Sequence, residues 1–162
     1  MATLKVKIQE DIILDNQDYG SKRTLEIASI NEIYKRIVTC PANAETTVVH
    51  FKQVVGAAGG ATKFDGALDI QDVRYIRVTN LDSSNNLTLS LQVEVGEDDS
   101  GADVSASVLL EAGKSFMMGS GHDAVNVSDA NSNLVTDLVD LDSLVVQPGS
   151  NAINVEVIVA SA

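Results

Sequence analysis

Apolar and polar residues alternate with a period of two along most of this chain. Leu4, Val6 and Ile8 interleave with Lys5, Lys7 and Gln9, the pattern of a half-buried strand. A turn-rich stretch, residues 15–21 (DNQDYGS), ends it, so residues 1–20 are expected to form an N-terminal arm or edge strand. Leu25, Ile27 and Ser29 carry a second alternation, and residues 33–39 (IYKRIVT) a third. Cys40-Pro41 closes that third run, because proline offers no donor to a strand ladder. Residues 46–52 (TTVVHFK) make the next strand, and residues 56–61 (GAAGGA) a flexible connection.

The clearest alternation covers residues 73–95. Val73, Tyr75 and Arg77 oppose Arg74, Ile76 and Val78. A polar loop, residues 80–86 (NLDSSNN), leads to Leu87, Leu89, Leu91, Val93 and Val95, whose intervening residues are Thr, Ser, Gln and Glu. This reads as an antiparallel hairpin. A second hairpin is expected from residues 107–110 and 115–118 around Glu111-Ala112-Gly113-Lys114, with glycine where φ > 0 is needed. Residues 141–147, the turn Pro148-Gly149-Ser150-Asn151 and residues 153–159 (INVEVIV) close the chain. Leu134, Leu138, Leu141 and Val145 fall at helical spacing, which allows at most one short helix between 133 and 140. With turns every 8 to 15 residues or so, about eight to ten short strands are expected, with no βαβ alternation and no long repeat. The expected fold is all-β: an antiparallel β-sandwich of jelly-roll type, in a single domain over residues 1–162.

Charge sharpens this picture. The chain has 162 residues, 11 basic and 23 acidic, for a net charge of −12. Up to Arg77, ten basic residues balance ten acidic ones; from Val78 onward Lys114 stands alone against thirteen carboxylates. Such a surface repels polyanions, so neither nucleic acid nor an anionic membrane is an expected partner. The split suggests an orientation in which the balanced part docks and the acidic part faces water. The first ten residues (MATLKVKIQE) lack the apolar run of about 7 to 15 residues of a signal peptide, and synthesis in a cytosol is expected. No stretch approaches the roughly 18 apolar residues of a membrane span.

Candidate chemistry is thin. Ser120, His122 and Asp123 lie side by side in GSGHD, but a triad must converge in space and neighbours in a loop point apart. His50 and His122 are the two histidines, too few for a histidine-rich metal site of the cupin type. Cys40 has no internal disulfide partner and reads as a small buried hydrophobe. Asp129, Asn131, Asn133, Asp137 and Asp140 occupy EF-hand-like loop positions, yet Leu134 replaces the required glycine and Asp140 the bidentate glutamate. Residues 96–103 (GEDDSGAD) read as a solvated loop tip, and residues 56–63 (GAAGGATK) miss the phosphate-loop spacing. Asn86-Leu87-Thr88 and Asn126-Val127-Ser128 match the glycosylation sequon by chance, and three Tyr, three Phe and no Trp leave few stacking platforms. No catalytic, cofactor or metal residue is therefore expected, and the chain is not expected to be an enzyme.

Four segments carry a resemblance. Residues 73–91 (VRYIRVTNLDSSNNLTLSL), 107–118 (SVLLEAGKSFMM), 141–146 (LDSLVV) and 152–160 (AINVEVIVA) resemble those of small β-sandwich virion proteins of tailed bacteriophages. The shared elements are a strand and turn, R-Y-I-R-V-T-N-L-D, an L-x-A-G-x-S-F turn, and a final V-E-V-x-V-A strand. They are structural signatures rather than catalytic ones. The resemblance implies a capsid decoration (cement) protein on the outer capsid surface of the virion, made in the bacterial host cytoplasm. It implies the major capsid protein as partner and a homo-oligomer, with a trimer the leading expectation. The arm would add a strand to a neighbour. The alternative within the same class is another virion part, such as a head-tail connector component or tail-associated adhesin; a small jelly-roll enzyme is the rival outside it.

Overall fold

A computed structural model of the chain describes residues 1–52, 68–93, 104–119, 125, 138 and 140–162. Among them the chain forms β1 (Ala2–Glu10), β2 (Ile13–Leu14), β3 (Gln17–Asp18), β4 (Ser21–Ile30), β5 (Glu32–Cys40), β6 (Thr46–Lys52) and β7 (Leu68–Asp69). After a 3₁₀ turn (Ile70–Asp72) come β8 (Val73–Asn80), β9 (Leu87–Val93), β10 (Val104–Leu110), β11 (Ser115–Met118), β12 (Leu141–Pro148) and β13 (Ile153–Ser161). Of the expected helix between 133 and 140 only Leu138 and Asp140 are described, neither of them helical, and the loops at 56–61 and 96–103 lie outside the described residues.

Two sheets face each other across one core. The first has the order β10-β9-β12-β6-β7 and the second β11-β8-β13-β5. All pairings are antiparallel except the short β6–β7 contact. Period-two alternation explains the core directly: Leu87, Leu89, Leu91 and Val93 turn inward from β9, and Ile153, Val155, Val157 and Val159 from β13. Phe51, Leu141, Leu144, Val146, Ile76 and Val78 complete the layer. The fold is the all-β sandwich expected from the alternation.

The two expected hairpins are not hairpins. β8 pairs with β11 and β13 in one sheet, whereas β9 pairs with β10 and β12 in the other. The loop at 81–86 therefore crosses the core from sheet to sheet, and the turn at 111–114 crosses back between β10 and β11. Alternation shows which side chains face a core but not whether the next strand lies beside or opposite, since both arrangements bury the same face. Gly113 does adopt φ +69, the conformation for which glycine was expected.

Asparagines hold these crossings in place. Asn80 is fully buried; its side-chain nitrogen donates to Asn85 O at 2.9 Å and Leu110 O at 3.2 Å, and its oxygen accepts from Asp82 N at 3.0 Å. Asn86 Oδ1 accepts from Ala112 N at 3.0 Å, and Asn151 Nδ2 donates to Asn85 Oδ1 at 3.0 Å. Three corner loops are thus joined at one end of the sandwich.

The charge split does not survive folding. β6, from the balanced part, sits beside β12, from the acidic part; β13, from the acidic part, lies between β5 and β8, from the balanced one. Pairing of early with late strands mixes the two halves, so in the sandwich no docking face corresponds to the first 77 residues.

Candidate docking surface

Residues 1–30 stand apart from the two sheets. β1 and β4 pair antiparallel along their length, with Leu4 opposite Ile27, Val6 opposite Leu25 and Ile8 opposite Arg23. Directly opposed residues share a face. One face of the ribbon therefore carries Leu4, Val6, Ile8, Leu25 and Ile27, with Arg23, Glu10 and Ser21 towards the tip, and the other Lys5, Lys7, Gln9, Lys22, Thr24 and Glu26. Lys5 Nζ and Glu26 Oε1 meet at 2.8 Å on the polar face. At the far end β2 and β3 are joined by Asp15 (φ 50) and Asn16 (φ 62), the paired positive φ values of a tight hairpin turn. Gly20 lets the chain return, because a Cβ there would stand 2.4 Å from Glu10 O.

Among the described residues, the base of the ribbon is the part that rests on the sandwich. Leu4, Val6 and Ile27 pack on buried Tyr75 and Ala160, together with Ile30. A Cβ on Gly119, at the end of β11, would lie 3.5 Å from Leu25 Cδ2. The ribbon thus crosses the outer face of the four-stranded sheet from β5, over β13 and β8, to β11. All of residues 10–20 are exposed. At about 3.3 Å per residue, the strand from Val6 to the tip extends on the order of 20 Å past that edge. Ile13 (78% exposed) and Leu14 (60%) lie at the tip, with Ile12 and Tyr19 also exposed.

The outer faces of the two sheets differ. On the five-stranded sheet Thr47, Thr88, Ser90, Gln92, Ser105, Ser107 and Gln147 point outward, with Leu109 as an apolar exception. Gln92 Nε2 and the Ser107 hydroxyl donate to Ser90 Oγ at 2.9 and 3.2 Å. The four-stranded sheet instead exposes Ile33 (54%) and Ile37 (63%) on β5 and Met117 on β11. Between them Glu156 sits with Lys35 Nζ at 3.1 Å and the Arg77 guanidinium bonded to its other oxygen. The Lys35 ammonium, and after it Arg77, hold the Glu156 carboxyl below its ordinary value despite the opposing effect of burial. Arg36, at the sheet edge, lies 5.3 Å over the Tyr34 ring. Among the described residues, most of the exposed large apolar side chains lie on the arm and the four-stranded sheet.

The residues considered for chemistry fall elsewhere. Cys40 is fully buried, with Sγ 3.9 Å from Val38 O, and burial pushes its thiol pKa up despite a hydrogen bond to Thr46. That is the environment of a core side chain. His50 lies on the outer face of the five-stranded sheet with Nε2 3.6 Å from Asp142 Oδ1. Ser120, His122 and Asp123 lie outside the described residues, as do Asp129, Asn131, Asn133 and Asp137; Asp140 is described, half-buried just before β12. Among the described residues no group of three or more His, Cys, Asp or Glu comes together as a metal site, and no helix is long and apolar enough to cross a membrane.

Alternation pointed to the strands but not to the exposed apolar cluster. Its signal was present at the tip, where Ile12-Ile13-Leu14 breaks the period of two beside turn residues, a run with no buried face to serve. On β5 there was none, since Ile33 and Ile37 keep the alternation of a buried strand but face outward. No protein-family model, curated protein or solved structure matches this chain.

Proposed function

We propose that this protein is a non-enzymatic structural component of a phage virion, a decoration protein bound to the outer surface of the capsid with the major capsid protein as its partner. The carrying observation is the arm: an amphipathic ribbon whose apolar tip reaches past its own sandwich and stays exposed among the described residues. A freely diffusing domain gains nothing from Ile12, Ile13, Leu14 and Tyr19 in water, whereas an assembly component gains an anchor. Neither nucleic acid nor a membrane surface fits a net charge of −12.

The strand order supports the reading. Numbering β5, β6 and β8 to β13 one to eight in chain order, the sheets read 1-8-3-6 and 2-7-4-5, which we read as a jelly roll. Jelly rolls occur in viral capsid proteins, lectins and cupins, so this narrows the field and the arm decides within it. The segments resembling phage virion proteins fall on the corner loops and core strands that define this order, consistent with their being structural signatures. The test is to add purified protein to particles that lack it and image them. Ordered density at lattice positions on the shell supports decoration; density confined to the neck or tail moves the assignment there. Particles that resist heat better with the protein bound would establish a cementing role.

A further inference from the structure

We propose that the ribbon tip of one copy docks on the β5 edge of a second copy, head to tail, so that copies close into a ring. Three observations carry this. First, the tip leaves its own sheet over β11, while β5 forms the opposite edge of that sheet. A donor on one edge and an acceptor on the other make a heterologous contact, which closes into a ring when the rotation permits.

Second, the surfaces match in chemistry. The tip presents Ile12, Ile13, Leu14 and Tyr19, and β5 presents Ile33 and Ile37, all more than half exposed. Around these apolar groups the tip carries Glu10, Asp11, Asp15 and Asp18 with no basic residue among them. β5 carries Lys35 and Arg36 at its middle, with Glu32 at its start; Lys35 is shared with Glu156, which also takes Arg77. The neighbouring sheet surface of Lys35, Arg77 and Glu156 therefore keeps a net positive charge, opposite in sign to the tip.

Third, β5 is a nine-residue edge strand, paired with β13 on one side only and bearing two exposed isoleucines. Natural sheets shorten, bend or cover such edges, because an open one recruits other chains. β5 is not short, and no strand among the described residues covers its free edge, so a second copy supplies the cover. Each copy then uses the contact twice, once through its tip and once through its β5. The inference does not rest on the virion reading, since the ring forms in the isolated protein.

Sedimentation velocity of the purified full chain tests it. The wild type should sediment as one closed oligomer. Ile13→Asp with Leu14→Asp, and separately Ile37→Asp, should each weaken association about 30-fold or more, the effect of losing a central interface side chain. Each variant should keep the wild-type melting curve, because the three residues are exposed in the single chain. Mixing the tip variant with Ile37→Asp should give a one-to-one pair, since one intact tip and one intact β5 remain. A wild type that is monomeric at every concentration overturns the proposal. So does an oligomer indifferent to both sets of substitutions, or a mixture that forms no pair.

Discussion

At the scale of single residues, a few polar groups define the corners. Asn80 has all three of its bonds inside the protein, so Asn80→Ala leaves Asn85 O, Leu110 O and Asp82 N to find other partners. Unpaired buried groups cost about 1–3 kcal/mol each and some of these reach water, so a loss of about 2–4 kcal/mol is expected. Thermal unfolding followed by circular dichroism should show a melting temperature lower by roughly 6–12 °C. An unchanged melting curve would mean that the crossing does not depend on this side chain. Two carboxylates give a pH signature. Backbone N–H groups of Ser84 and Asn85 hold Asp82 below its ordinary pKa, and Lys35 with Arg77 do the same for Glu156. A carboxylate lowered in the folded state stabilises fully above its unfolded value and loses that contribution as pH falls through the folded one. Stability should therefore begin to fall with acidification near pH 4, about the ordinary carboxylate range, and continue to fall below it. Urea midpoints measured across that range check this, and Glu156→Gln should flatten its share of the slope.

At the scale of elements, the strands were legible and their partners were not. The inward alternation of β9 and β13 and the stop at Pro41 follow from side-chain period and backbone chemistry alone. Whether a turn closes a hairpin or crosses a core depends on what the strand meets after it, a long-range matter that four to six loop residues do not encode. Asn80 and Asn86 were visible as turn formers, but their bonds to Leu110 and Ala112 join segments about 25 to 30 residues apart, beyond any local pattern. The arm shows the same limit: Leu4, Val6 and Ile8 announced a strand, while its pairing with Leu25 and Ile27 became evident only from the register. Because, among the described residues, the ribbon touches the sandwich only at its base, the sandwich should not need the tip. Replacing residues 11–20 by a two-residue Asn-Gly turn, which joins the opposed Glu10 and Ser21, should leave the melting temperature within about 3 °C, the change expected from less than 1 kcal/mol. A drop several times larger would show that the tip is part of the folding unit.

At the scale of the whole molecule, the sum of charges was informative and their order along the chain was not. A net charge of −12 still disfavours polyanionic partners, but each sheet holds strands of both halves, so the division at Arg77 does not separate one sheet from the other. What replaces it is a division between faces: hydroxyls and amides on the five-stranded sheet, exposed isoleucines, a methionine and the arm on the four-stranded one. The proposed ring would also strengthen the proposed shell binding, because linked copies bind with an avidity that single copies lack. The tip-shortened chain is therefore the informative companion to the wild type in one experiment: imaging particles that lack the protein after each has been added at the same concentration. The account predicts ordered density at lattice positions on the shell for the wild type and strongly reduced occupancy for the tip-shortened chain. Equal occupancy by both, or no density on the shell with either, would contradict it.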